Sequence, residues 1–577
     1  MIALAPMEGW GDASVFGKIW LMVTTRGQNN EIQFAFAIGT LALLLAAVAW
    51  RTLRLHRARA TDPETPNKWL AGADKLVSAA LLVAALLSAT QYFYGSKNNK
   101  TWLHTYDIYH QVLGTRYFAE LGYFKLYECT WEIDEANSRH FKRVKKMRDI
   151  RTLKVPPIEK VIGERDCAEL FTDERRAQFA QEIDDFYDLG GHNMWETLFG
   201  DKGFNGTPFH AWILSRVTDG VPIVWDELIW LGLLDVWLML LAFAAIAWAW
   251  DVKTAAIAVL FFCANFPNRF IHMGGSILRF DYIAMLIFAL VAMKKGRFGI
   301  AGACVAWATA ERVFPAIFAV GLGFKAGVDL LATRKLDKHY LRFGIGFVGA
   351  GLVLFLCSLT LTHSFSEGID AWIDWWNNMK VHTQHTRGFR VGFKHMFMMD
   401  GNVTDKNGFV GWSKKTDNFH TRDHFFYLTI LVLLAPLLLA DRELDAVTFA
   451  ALFAAVGFFF LTVATRYYYS MMVLFLLVDR KLFDDRKQLL SAALLFLTAA
   501  WLAKIQDHTE SVPFHYNTAT SAAFAGYWVI LSAMLWIDPW LRDRGVTAAE
   551  PVVKDPVVKA PVEPAESVAE AVEAGGG

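Results

Sequence analysis

Long apolar runs alternate with short polar breaks along most of this chain. Phe36–Trp50, Leu228–Trp250 and Phe425–Ala440 are the clearest runs. A helix that crosses a bilayer needs about 20 mostly apolar residues, because the hydrocarbon layer is about 30 Å thick. On that measure the pattern predicts spans at roughly 31–50, 74–93, 227–250, 254–267, 281–294, 298–312, 314–332, 341–362, 424–440, 445–464, 467–479, 487–504 and 520–537. The expected fold is an all-α polytopic membrane protein with about 11–13 transmembrane helices. Within 298–332 the pair Glu311-Arg312 interrupts the apolar run. One continuous helix would hold that pair in lipid, at a cost of several kcal/mol. Two short helices meeting at Glu311–Pro315 are expected instead, with the pair at a surface and Pro315 in the first turn of the second helix.

Basic clusters follow alternate spans: Arg51, Arg54, Arg57 and Arg59; Lys294, Lys295 and Arg297; Arg334, Lys335 and Lys338; Arg480, Lys481, Arg486 and Lys487; Arg542 and Arg544. The positive-inside rule makes these loops cytoplasmic. The expected location is a bacterial-type cytoplasmic (inner) membrane, crossed many times, with the N-terminus outside and the C-terminus inside. The chain then divides into an outer N-terminal segment 1–30, two spans in 31–93, a large outer loop 94–226, spans in 227–362, a second outer loop 363–423, spans in 424–545 and a cytoplasmic tail 546–577. Residues 1–30 lack the basic start and apolar core of a signal peptide, and Val15–Val23 suits a short interfacial helix. The Pro- and Ala-rich tail reads as disordered.

Composition narrows the classes. The 577 residues are 54% apolar and 20% charged, with 57 basic and 57 acidic side chains and as many as 22 Trp and 45 Phe. These values exclude a soluble multidomain enzyme and a disulfide scaffold, and zero net charge excludes a field that attracts nucleic acid. There is no Gly-rich phosphate loop, no zinc pattern and no Ser-His-Asp spacing, and the cytoplasmic loops are too short for a nucleotide-binding domain. No cofactor is expected. Cys263, Cys304 and Cys357 fall in spans, whereas Cys129 and Cys167 lie in the first outer loop. In an oxidising compartment those two form a disulfide or stay as separate thiols, and spacing alone leaves both open.

The outer loops carry the candidate chemistry. Trp102-Leu-His-Thr-Tyr-Asp-Ile-Tyr-His110 places Asp107 among aromatic rings shortly after a span. As a helix it puts Asp107, His110 and Gln111 on one face, with Tyr106, Tyr109 and Tyr117 suited to the lipid–water boundary. Asp201-Lys-Gly-Phe-Asn205-Gly-Thr-Pro208 marks a tight turn. Gly274-Gly-Ser-Ile-Leu-Arg279-Phe-Asp281 offers paired glycines and a guanidinium that grips phosphate, or else pairs with Asp281 or Glu311. Arg312 falls on the same face if the chain breaks after it. The second outer loop holds Trp372, Trp375, Trp376, His382, His385, Arg390 and His395. The histidine spacing fits no compact zinc site, so a divalent metal is not expected there. Basic groups near an anionic headgroup, with Trp rings against a sugar, fit better. Arg466 and Tyr467 repeat that theme, and Asp235 stands inside an apolar span with no evident partner.

In this order, the acid in the first outer loop, the glycine-rich turn, Gly274–Asp281 and Ala301–Pro315 resemble the integral membrane glycosyltransferases of the GT-C superfamily. The resemblance is closest to the family 87 mannosyltransferases and arabinofuranosyltransferase-like proteins. It is densest over 101–127 and 265–332 and weaker over 372–395 and 465–470. It implies a GT-C-like fold, a donor sugar on a polyprenyl phosphate and a lipid or glycan acceptor among the membrane lipids. It also implies that the outer-loop acid, here Asp107, acts as base. Arg279, Arg312 and Arg390 then bind the donor phosphate. Tyr106, His110, Asn205, Trp375, Trp376, His382, Arg466 and Tyr467 contact acceptor, sugar or headgroup. Where the family often has Lys before Pro, this chain has Glu311-Arg312-Val-Phe-Pro315. Two other readings stand beside this one: a polytopic transporter or lipid flippase, and a non-catalytic scaffold of an envelope-polymer pathway.

Overall fold

The computed structural model describes residues 30–58, 68–93, 102–163, 166–190, 192–265, 268–270, 274–384, 390–398, 417–440, 444–461, 464–509 and 513–543. The expected interfacial helix at Val15–Val23 and the tail 546–577 lie outside the described residues.

Helices α1 (Asn30–Ala58) and α2 (Lys68–Tyr92) open a helical bundle. Residues 102–224 then build an outer layer on one end of it, containing α3 (Thr105–Arg116), α4 (Leu126–Ala136), α5 (Asp173–Gly190) and α6 (Pro208–Thr218). The chain returns through α7 (Trp225–Gly232), α8 (Leu234–Ala249), α9 (Val252–Ala264), α10 (Asp281–Lys294), α11 (Phe298–Arg312), α12 (Ala316–Thr333) and α13 (Lys338–Ser358). Helix α14 (Phe365–Gln384) rejoins the outer layer. Helices α15 (Asp423–Leu439), α16 (Ala446–Leu461), α17 (Arg486–Thr509) and α18 (Pro513–Asp543) complete the bundle, with a 3₁₀ helix at Arg466–Leu476 after α16. Two-residue strands β1 (Arg390–Val391) and β2 (Ala464–Thr465) pair antiparallel, with Arg390 opposite Thr465.

This is a helical membrane protein. Among the described residues, six helices are long and apolar enough to cross a bilayer: Glu31–Leu53, Trp225–Ala249, Ala316–Thr333, Lys338–Leu361, Arg486–Ile505 and Asn517–Leu535. The other predicted spans fall on helices with shorter apolar stretches. For α9, α10 and α16 the placement explains the difference. Helices α9, α10 and α16 are apolar all round and buried on nearly every side, whereas α13 exposes Leu341, Ile345, Val348 and Leu352. A helix without a polar face belongs inside the bundle, where it needs no full crossing length. The run expected to span at 467–479 is instead the 3₁₀ helix, with Tyr469, Met471 and Leu474 fully enclosed.

Polar contacts bracket the packing of α1 on α17. Lys504 Nζ meets Glu31 Oε1 at 2.5 Å at one end, and Arg51 Nη1 donates to the Phe483 carbonyl at 3.0 Å at the other. About 20 residues of helix separate the two, or ~30 Å, the depth of the hydrocarbon layer. Helices α11 and α13 approach closely through small residues. A Cβ on Gly302 would lie 2.1 Å from the Phe343 carbonyl oxygen, so only glycine fits there.

The segment 298–332 breaks at Val313–Pro315, as the charged pair requires. Glu311 does not reach a surface, however. The outer layer covers it, and it is buried.

The outer layer has its own aromatic core, including Tyr109, Tyr127, Phe141, Phe186 and Trp195. Cys129 and Cys167 form a disulfide across it, with Cα atoms 5.3 Å apart. Arg116 Nη1 pairs with Glu182 Oε1 at 2.6 Å and ties α3 to α5.

Candidate functional site

The site forms where α3 of the outer layer sits on the ends of α8, α10 and α11. His104 begins α3, its N–H donating to the Gly275 carbonyl at 3.0 Å. Gly275 has φ +78°, and a Cβ there would meet the Trp102 carbonyl oxygen at 2.1 Å. A glycine is therefore required for α3 to dock on the 274–279 loop.

Asp107 lies in the first turn of α3. Its Oδ2 accepts from Arg279 Nη1 at 2.5 Å and from Ser276 Oγ at 2.7 Å, with His104 Nδ1 at 3.1 Å. One turn later Gln111 grips the same loop. Its Nε2 donates to the Ile277 carbonyl and its Oε1 accepts the Ile277 N–H, both at 2.8 Å. Residues i and i+4 share a helix face, so two consecutive turns of α3 fix one loop.

Arg279 is held from below as well. Asp235, in the first turn of α8, accepts the Arg279 N–H at 2.6 Å through Oδ2. This buried acid, without a partner in the sequence reading, thus has one. The Arg279 guanidinium lies 5.1 Å from the centroid of the Tyr467 ring. Arg312, at the end of α11, stands within electrostatic reach of Arg279, Tyr467 and Tyr468. Its Nη2 is 3.4 Å from Glu311 Oε1. Glu311 in turn contacts His210 Nδ1 of α6, and Thr207 Oγ1 donates to the Ala310 carbonyl at 2.5 Å. These contacts close the outer layer over the end of α11.

Each arginine adjoins a non-glycine residue in left-handed backbone, Leu278 at φ 49° and Val313 at φ 32°. Such residues cost on the order of 1–3 kcal/mol and persist where surrounding contacts over-determine them. Asp107, Arg279 and Arg312 keep 19%, 15% and 12% of their side chains accessible, so the cluster is enclosed yet open to a ligand.

Burial alone would raise the Asp107 carboxyl. Arg279, His104 and the Ser276 hydrogen bond outweigh it and hold the group well below the usual carboxylate range. His210 is driven the other way. Burial, then Arg312 and Arg279, disfavour its cation. Its ring lies beside Glu311, which Arg312 also approaches.

Comparison of this chain with protein-family models, with curated proteins and with solved structures finds no match.

The remaining expected site residues divide. Tyr467 joins the cluster. His110 shares α3 with Asp107 but points into the outer core, where Nε2 bonds the Tyr127 hydroxyl at 2.7 Å. It remains within electrostatic reach of Asp107, while Gln111 binds the 274–279 loop. Tyr106 bonds Thr197 through its hydroxyl. Asn205 is exposed, and its carbonyl accepts from Trp375 Nε1 at 3.4 Å. Trp375 and His382 are buried on the inner side of α14, whereas Trp376 is exposed. The Arg390 backbone pairs with Thr465, one residue before Arg466, which brings the second outer loop to the rim of the cluster. The side chains of Arg390 and Arg466 lie outside the described residues, as do His385 and Arg387.

Sequence reading gave no weight to His104, Ser276, His210 and Tyr468. Their partners are distant in the chain, and no local pattern marks them. Among the described residues, one set of side chains has ligand atoms within 4.8 Å of one another: Asp134, His140 and Asp184. Both Asp134 oxygens accept backbone N–H groups, from His140 and Phe141 at 3.0 Å, and His140 bonds Asp184 at 2.8 Å. Those bonds account for the three without an ion.

Proposed function

We propose that this protein is an integral membrane glycosyltransferase of the GT-C type, moving a sugar from a polyprenyl phosphate to a lipid or glycan acceptor. The transfer takes place at the outer face of a cytoplasmic membrane. One observation carries the reading: a largely enclosed, ionised carboxylate pairs with Arg279 where the outer layer meets the helix ends, with Arg312 within electrostatic reach of that guanidinium.

An acceptor hydroxyl is far too weak an acid for a carboxylate to ionise in advance. The proton leaves late, passing to Asp107 while the acceptor oxygen bonds the anomeric carbon and the sugar–phosphate bond breaks. Polyprenyl phosphate departs with the bonding electron pair, and the anomeric centre inverts. A positioned base contributes roughly 10²–10⁴ in rate. Arg279 and Arg312 balance the charge that gathers on the departing phosphate.

Arg279 serves both halves of this reaction. At rest it neutralises Asp107 and makes it a poor base. A donor phosphate competes for that guanidinium, in two-pronged geometry that suits the anion. As the cation turns to phosphate, burial raises the proton affinity of Asp107. Donor binding thereby prepares the base.

The test compares membrane glycolipids and envelope glycans by mass spectrometry, with and without the gene, followed by transfer assays on the purified protein in lipid nanodiscs. Loss of one glycosylated species, restored by the wild-type chain and not by Asp107→Asn, is expected. Unchanged glycan profiles, or equal rescue by the variant, reject the reading.

A further inference from the structure

Helix α14 carries two apolar faces, and the fold uses only one. Its inner face, with Ala371 and Trp375, packs on Phe118, Tyr123 and Ala211 of the outer layer. Asn378 Nδ2 reaches the Phe204 carbonyl at 3.5 Å on the same side. At 3.6 residues per turn, Phe365, Ile369, Ile373 and Trp376 fall within an arc of about 80° on a different side. Their exposure runs from 43% at Ile369 to 58% at Phe365. Beyond them lies a third sector, polar and exposed, with Ser366, Asp370 and Asn377. The helix thus presents protein, apolar and polar sides in sequence around its axis.

We propose that α14 lies in the membrane–water boundary at the end of the bundle that carries the outer layer, with Phe365, Ile369, Ile373 and Trp376 inserted among lipid acyl chains. Three observations select lipid as the occupant. The stripe follows closely in the chain on α13, a helix long enough to cross the bilayer with an exposed apolar surface of its own, from which α14 is separated by the 3₁₀ turn Leu359–Leu361 and residues 362–364. Trp372 Nε1 donates to Ser358 Oγ at 2.9 Å and fixes that junction. At the far end of the stripe, Lys380 Nζ stands 5.8 Å from the Trp376 ring centroid. An amphipathic ring with an ammonium group beside it is the chemistry of the headgroup level. The polar sector next to the stripe holds Asp370, an acid that belongs in water. A helix with a narrow apolar arc beside a polar one lies along the interface rather than across it.

The inner face of α14 holds the Phe204–Asn205 turn, which leads to Thr207 and His210. The inference itself does not depend on glycosyl transfer, and its test reads none. Full-length protein in phosphatidylcholine–phosphatidylglycerol nanodiscs, with Cys304 and Cys357 replaced by Ser, is spin-labelled at Ile369→Cys, Ile373→Cys, Asp370→Cys or Asn377→Cys. Labels at 369 and 373 should relax with oxygen and resist a water-soluble nickel chelate, and labels at 370 and 377 should do the reverse. Nickel access at all four positions overturns the proposal. Exclusion of both reagents at 369 and 373 overturns it equally, because a protein then covers the stripe. In the wild-type chain, a phosphatidylcholine with a photoreactive acyl chain should label residues 365–380; absence of adducts there has the same force.

Discussion

Arg279 Nη1 lies 2.5 Å from Asp107 Oδ2, and the two side chains are the most direct link between the outer layer and the loop that enters α10. The pair is held from three directions. Gln111 fixes the Ile277 backbone, Asp235 fixes the Arg279 N–H, and Ser276 shares the same carboxylate oxygen. The backbone of the loop is thereby fixed, and the guanidinium alone is left to turn. A phosphate that binds Arg279 therefore acts on Asp107 directly, with no larger rearrangement.

Asp107→Asn keeps the shape and an acceptor oxygen for Arg279 and Ser276 but removes the base. Sugar transfer in nanodiscs should fall by about 10² or more. Membrane yield should stay near wild type, while the melting temperature falls by a few degrees because Arg279 loses its charged partner. Turnover within a few-fold of wild type would remove Asp107 from the mechanism.

The acid limb of the pH profile should report the same pair. In the wild type the folded carboxyl titrates below its unfolded value of about 3.9. Its ionised form therefore favours folding above that unfolded value, and the contribution is lost only as pH falls through the still lower folded one. Between about pH 5 and 7, Asp107 stays charged in the free enzyme. Arg279→Gln removes the largest lowering influence and leaves burial to raise the group. The acid limb of kcat/KM should then move upward in pH, beyond any uniform loss of rate. Superimposable limbs in the two proteins would show that Arg279 does not govern Asp107.

His210 and Glu311 make a second buried contact between layers, and both are almost fully enclosed. His210→Ala leaves a buried carboxylate with Arg312 at 3.4 Å as its remaining charged partner. Leaving a buried polar group short of one partner typically costs about 1–3 kcal/mol, more where the group is charged. A drop of several degrees in the melting temperature is expected, measured by fluorescence-detected unfolding.

Much of the bundle was legible because hydropathy alone marks apolar helices. The break after Arg312 was legible too, since a charged pair followed by Pro315 has no stable place inside one span. Which helices face lipid was not. Phe425–Ala440 and Ala446–Leu461 read alike in sequence, yet α15 exposes Tyr427, Leu428 and Leu431 while α16 is enclosed. That difference is set by neighbours, not by composition. Asp107 and Arg279 each stood out locally, as an acid among rings and a cation after paired glycines. Their contact did not, because 169 residues separate even Asp107 and Ser276. The contact between His210 and Glu311 carried no signal, since a lone histidine after a turn is common and about 100 residues separate the two. His110 misled for the opposite reason. Helical spacing placed it beside Asp107, but a three-residue step also allows the inward face, and Tyr127 takes it there.

Gly275→Ala tests the docking of α3 without touching a reacting group. The new methyl would overlap the Trp102 carbonyl and the His104 N–H, on a backbone of φ +78° that alanine rarely adopts. The start of α3 must move, and Asp107 with it. Transfer should fall at least tenfold, since misplacement by about 1 Å can cost 10². The transmembrane bundle, which does not include this contact, should still insert and run as a monodisperse species by size exclusion.

The Cys129–Cys167 disulfide closes a segment of 38 residues in the outer layer. By chain entropy such a bridge contributes roughly 3–4 kcal/mol, and it forms only in an oxidising compartment. Two outcomes follow from the one bond. In intact cells, maleimide–polyethylene glycol should fail to modify these two cysteines until a reductant is added, which places residues 102–224 outside the cytoplasm. Cys129→Ser with Cys167→Ser should lower the unfolding temperature of the outer layer, read by loss of protection from protease at Lys154 and Arg176, while the bundle keeps its helical circular dichroism. No modification of these cysteines in intact cells even after the reductant, with modification once the cells are lysed and reduced, would put this layer on the cytoplasmic side, where a lipid-borne sugar donor is not required, and the proposed reaction would lose its setting.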